Sequence, residues 1–124
     1  MARTAITIQD VVGPFTTVTA GDLDVTFGAS DSVNGNTVAC NGRVLILATN
    51  TDVGAQTITI DSVDDEKGRE DDITAYSLAA EDYVAIAVGL TTSKGWLQSG
   101  NVINIDTSDN GVNIAALRLP AGYP

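Results

Sequence analysis

Histidine is absent from these 124 residues, cysteine occurs once, and aromatic residues make up 5%. Without histidine there is no Ser-His-Asp or Cys-His catalysis, and the common zinc sites lose their usual ligand. The lone Cys40 forms no intrachain disulfide, which suits folding in a reducing cytosol. It lies beside Asn41-Gly42 and reads as a small filler residue, not a nucleophile. Scarce aromatics argue against a sugar cleft lined with ring platforms. Bases are also few: six Lys and Arg against 16 acids, a net charge of −10. Arg3, Arg43, Lys67, Arg69, Lys94 and Arg118 are scattered, so no basic stripe exists to displace counterions from phosphates, and no direct nucleic-acid partner is expected. No run approaches the ~20 apolar residues that cross a bilayer, and "MARTAITIQDVVGPF" has no continuous apolar core of a signal peptide. The expectation is a soluble protein made in the cytosol, with no membrane partner.

Chemistry is equally thin in the motifs. No Gly-rich phosphate loop opens a helix. Asp22 and Asp24 share a face of one predicted strand, but nothing surrounds them that a glycosidase would need. "DTSDNG", residues 106–111, places Asp106, Ser108 and Asn110 as in the start of a calcium loop. Its twelfth position is Leu117, where a bidentate Glu is required, so a hairpin turn is the reading. "DDEKGREDD", residues 64–72, is an exposed charged loop whose interleaved Lys67 and Arg69 argue against a dedicated cation site. No enzyme, cofactor or metal is expected.

What the chain does have is Val, Ile, Thr and turns. Ile6 and Ile8 alternate with Thr7 in "TAITIQDVV", an N-terminal arm or first strand over residues 1–12, and residues 13–124 read as a single sandwich domain. Leu23, Val25 and Phe27 alternate in a half-buried strand over 22–28. Asn34-Gly35 and Asn41-Gly42 mark tight turns around "NTVAC". "RVLILATN" then runs without alternation, as in a strand apolar on both faces. "QTITIDSV" alternates cleanly, so 42–60 reads as a hairpin or a pair of adjacent strands. "YVAIAVGL" is a strand over 83–90, preceded by a stretch at 77–82 with some helical character. "VINIDT" and "VNIAALRLP" complete the set. About eight or nine short strands at this spacing make an all-β sandwich or barrel.

The segments "MARTAITI", "GRVLILATNTDVGAQTITI" and "GNVINIDTSDNGVNIAALRLP", with the aromatic-containing loop from Trp96 to Gly100, resemble the capsid decoration proteins of tailed bacteriophages, also called cement or auxiliary head proteins. The resemblance leaves the 64–72 loop and the 77–90 stretch unassigned. It implies a β-sandwich of jelly-roll-like or β-tulip-like form. It also implies a structural role on the outer surface of the assembled head, with the major capsid protein as partner and a homotrimer as the working form. Arg3, Thr4, Ile6 and Ile8 are then candidate arm contacts that add a strand to a capsid subunit. Val44 and Ile46, in the two-sided apolar run, are candidate subunit contacts, the alternative being an all-core location, and Trp96 is a candidate anchor or else a cap on the end of the sandwich. The competing reading is a carbohydrate-binding or adhesin-like sandwich displayed on a virion. A small enzyme built on the carboxylates is the more remote one.

Overall fold

In the computed structural model, residues 2–12, 17, 19–21, 24–39, 43–63, 67, 72–88, 96–98 and 100–119 are described. They form ten strands and no helix. The first sheet has the order β1 (Thr4–Ala5), β4 (Asn36–Ala39), β9 (Val102–Thr107), β6 (Gln56–Ile60), β7 (Ile73–Leu78). The second runs β2 (Ile8–Asp10), β10 (Val112–Arg118), β5 (Val44–Asn50), β8 (Tyr83–Val88). β3 (Gly28–Ala29) shares with β2 the edge of β10. The protein is an all-β sandwich of two mixed sheets.

Alternation decides what each sheet buries. Val38, Ile58, Ile60, Ile103 and Ile105 of the first sheet face Val44, Ile46, Ala48, Val112, Ile114 and Ala116 of the second, and all are buried in one core. The outward sides differ. The first sheet shows Thr37, Asn104, Asp106, Thr57 and Thr59. Opposite ladder partners on the second are Leu117, Leu45 and Ala87 in one row, then Ala115, Leu47 and Ala85 in the next. This explains the unbroken apolar run: half of it is core, and half lines a partly covered outer face.

Nearly every connection crosses between the sheets. β5 and β6 belong to opposite sheets, so 42–60 is an arch and not a hairpin. The same holds for 108–111, which joins β9 to β10. Asn-Gly-type turns suit either connection, and the sequence pattern does not tell them apart. The expected strand over 22–28 reduces to Gly28–Ala29, with residues 22–23 outside the described set. Gln9 explains the loss. Its side-chain amide donates to Asp24 O at 3.3 Å and its Oε1 accepts from Thr26 N at 2.9 Å, satisfying backbone that would otherwise pair in a ladder. Residues 77–78 end β7 and 79–82 form a turn, where Asp82 Oδ2 accepts from Ala79 N at 3.1 Å.

Candidate functional site

The N-terminal candidates are drawn into the protein's own sheets. Arg3 lies across the end of the first sheet. Its Nη1 donates to Asp106 Oδ1 at 2.9 Å and its Nη2 to Oδ2 at 3.2 Å, while Nη2 stands 3.7 Å from Asp61 Oδ2. Gly35, at φ +82, makes room: a Cβ there would collide with this guanidinium. Thr4 Oγ1 donates to Asp31 Oδ2 at 2.7 Å. Ile6 and Ile8 are half-buried against the core. Ile6 N donates to Thr37 O at 2.8 Å, and Ile8 pairs in register with Ala116. Farther on, Arg118 Nε donates to Asp10 Oδ1 at 2.6 Å. The segment thus crosses from one sheet to the other, and β1 and β2 each form the edge strand of a sheet.

Val44 and Ile46 are core residues, 3% and 0% exposed. Their side chains point at the opposite sheet and cannot touch a partner. Leu45 and Leu47 are the outward residues of the run. Trp96 is half-buried and packs on the core, and its indole N–H finds no hydrogen-bond partner among the described residues. The sequence candidates therefore do not assemble into one surface. Cys40 and Asp22 lie outside the described residues.

What the fold does assemble is one end of the sandwich. The strand directions bring four connections together there: 30–35, 51–55, 79–82 and 108–111. Polar residues close the core beneath them. Ser30, Asn36, Asn50 and Thr107 are all buried, and the Ser30 and Thr107 hydroxyls meet at 2.7 Å. Asn50 Nδ2 donates to Gly54 O at 2.8 Å and to Leu78 O at 2.9 Å, and its Oδ1 accepts from Asp52 N at 2.9 Å. Asn36 Oδ1 accepts from Asp31 N at 2.9 Å.

The arches are also tied to one another. Ser32 N and Oγ both donate to Asn110 Oδ1, at 2.9 and 2.7 Å. Thr51 N and Oγ1 both donate to Gly111 O, at 2.9 and 2.7 Å. Asp52 packs so closely on Gly111 that any side chain there would displace it. Ser108 Oγ donates to Gln56 Oε1 at 2.7 Å and accepts from Thr57 N at 2.8 Å. The oxygens of "DTSDNG" are thus engaged in holding a corner, and no group of three metal-ligating side chains occurs among the described residues.

Two valines stand on this network. Val33 is 84% and Val53 102% exposed. Each sits on a loop whose backbone is fixed by a side-chain cap. Asp31 Oδ1 accepts from Val33 N at 3.2 Å and from Asn34 N at 3.0 Å. Those bonds favour the carboxylate and hold Asp31 down at a pKa of about 2, with the Asn34 N–H the largest cause. Asn50 caps the Val53 loop through Asp52 N. Around the tips stand Asp31, Asp52, Glu81, Asp82 and Asp109, and the four segments contain no Lys or Arg. The surface offers two apolar points in a negative field.

A second feature lies along the side of the sandwich. β7 and β8 are the outer strands of their sheets, and between them opens a cleft of ≈ 340 Å³ lined by Ile58, Ile73, Tyr76, Tyr83, Val84 and Ile86. Tyr76 and Tyr83 are exposed at its rim, and Phe27 meets Tyr83 edge-on with ring centroids 6.2 Å apart.

Neither the valine tips nor this open edge carries a signal in the sequence. Val33 and Val53 are single apolar residues inside turns, and only the three-dimensional convergence of the arches brings them to one end of the sandwich. Comparison with known proteins adds no relative: no family model matches the chain, and no curated protein or solved structure matches it.

Proposed function

We propose that the protein is a structural, non-enzymatic component of a virion that docks on the outer surface of an assembled phage head and bridges its major capsid subunits. The observation that carries this reading is the loop end, where Val33 and Val53 stand exposed on hydrogen-bonded arches in an acidic surround. A preordered surface loses little conformational entropy on docking. Apolar tips set among mostly acidic side chains fit a partner that offers shallow apolar pockets among Lys and Arg. A protein that binds only the assembled lattice stabilises it by linkage, and one that touches several subunits gains avidity.

The resemblance of the N-terminal, central and C-terminal segments to decoration proteins supplies the partner class. Residues 4–5 and 8–10 pair within this chain as edge strands, and in this reading the main contact lies at the loop end.

The carbohydrate-binding reading has one observation in its favour, the pair Tyr76 and Tyr83 at the rim of the lateral cleft. Co-sedimentation with empty heads of the phage that encodes the chain, run beside a glycan array, separates the two. Binding to heads with an empty array supports decoration. Array hits abolished in Tyr76→Ala or Tyr83→Ala, with no head binding, would replace it.

A further inference from the structure

Sheet edges expose unpaired N–H and C=O groups, and edge strands usually carry a bulge, a charge or a proline that discourages pairing. β7 has such a device: its register with β6 slips between Ile58 and Ile60, and Ala75 adopts φ 49. β8 has none. "YVAIAV", residues 83–88, contains no charge and no proline in a chain of net charge −10. It pairs with β5 in unbroken register from Thr49↔Tyr83 to Val44↔Val88. No strand among the described residues covers its other side.

The hydrogen-bond phase of that edge follows from one contact. Asn50 N donates to Asp82 O at 3.2 Å, so the even-numbered residues of β8 turn their backbone groups toward β5. By the alternation of antiparallel ladders, Tyr83, Ala85 and Ala87 turn theirs outward.

We infer that β8 pairs antiparallel with β8 of a second copy, in a register centred on Ala85, and joins the two second sheets into one continuous sheet. This is independent of the head-binding reading. Three properties select a second copy as the occupant. Tyr83, Ala85 and Ala87 are spaced evenly about Ala85, so the register Tyr83↔Ala87, Ala85↔Ala85, Ala87↔Tyr83 satisfies every outward-facing group of both strands.

In this register Val84 meets Ile86 of the partner copy on the core side, and Tyr83 meets Ala87 on the outer side, so apolar faces align on both surfaces. The acidic turn does not obstruct it either: Asp82 of one copy lies opposite position 88 of the other, an uncharged site, instead of facing another carboxylate. The small Ala85 and Ala87 let the strands approach, and Tyr83, 72% exposed in the single chain, is covered. The pair has two-fold symmetry, so the assembly is a dimer and not the trimer that the resemblance implies.

The test combines sedimentation equilibrium with residue-resolved hydrogen exchange, on the wild-type chain and on Ala85→Lys. Ala85 is solvent-exposed, so lysine is tolerated in the monomer, but at the two-fold it sets two ammonium groups face to face. The expected result is a monomer–dimer equilibrium with the Tyr83, Ala85 and Ala87 amides protected at least tenfold more at high concentration than at low. Ala85→Lys should be monomeric and lose that protection while keeping the rest of the exchange pattern. A wild-type chain that stays monomeric up to about 1 mM, well above the weak-complex range, overturns the inference. So does a trimer, or any oligomer whose three amides exchange as in the monomer.

Discussion

Asn50, at the end of β5, donates through Nδ2 to the carbonyl of Leu78, at the end of β7, at 2.9 Å, and so ties the second sheet to the first where both are fully buried. The same amide also satisfies Gly54 O and Asp52 N. Removing it strands a buried carbonyl. Asn50→Ala should lower the unfolding free energy by about 2–4 kcal/mol, read from the denaturant midpoint. Asn50→Asp, the same size, should be at least as damaging, because it aims an acceptor at two acceptors. A midpoint unchanged in both variants would mean that the arches are not held this way.

The outer and inner halves of β5 should respond differently to truncation. Ile46 is 0% exposed, and Ile46→Ala should cost about 2–5 kcal/mol through lost burial and a cavity. Leu47, one residue on and facing outward, should cost less than half as much when changed to Ala. Equal losses in urea unfolding would contradict the assignment of faces.

This contrast also shows what could be read from the sequence. "QTITI" announced its inward Ile58 and Ile60 because Thr57 and Thr59 separate them. "VLILA" does not, since both faces of β5 are apolar: the run leaves Val44 and Ile46 as core or contact residues, and the structure puts them in the core with Leu45 and Leu47 facing outward. The all-β class followed from strand spacing and turn residues, which are local signals. Arches look like hairpins in sequence because the same Asn, Asp and Gly turn the chain in either case, and which sheet receives the next strand is settled by pairing far away. The exposed Val33 and Val53 carry no sequence signal at all.

At the N-terminus, Arg3 holds two carboxylates of unequal standing. Its bidentate contact is with Asp106, while Asp61 is pushed above its ordinary value first by desolvation and then by Asp106. A raised folded-state pKa means that ionised Asp61 opposes folding at neutral pH, and that this cost fades as the pH falls through its folded value. Asp61→Asn should therefore leave the melting temperature at pH 7 unchanged or higher. Asp106→Asn should lower stability by about 1 kcal/mol and speed exchange at the Ile6 amide. A larger loss from Asp61→Asn than from Asp106→Asn would reverse the assignment.

Asp31 supplies a pH signature for the loop end. Its folded pKa of about 2 lies below the ordinary 3.8. The stabilisation is complete above the unfolded value and is lost as the pH drops through about 2. Side-chain carboxyl NMR should show Asp31 titrating with a midpoint near 2, and Asp31→Asn should flatten the acid limb of the stability curve. A midpoint at the ordinary value would show that the cap over Val33 and Asn34 is not formed.

The central claim is that the loop end is the docking surface, and the most direct measurement is a binding isotherm on empty heads for the double variant Val33→Asp/Val53→Asp. Both side chains are exposed, so an unchanged melting temperature certifies the fold. Placing two carboxylates where apolar tips should enter a partner is expected to weaken binding at least tenfold relative to the wild-type chain. Wild-type affinity in a correctly folded double variant would contradict the claim.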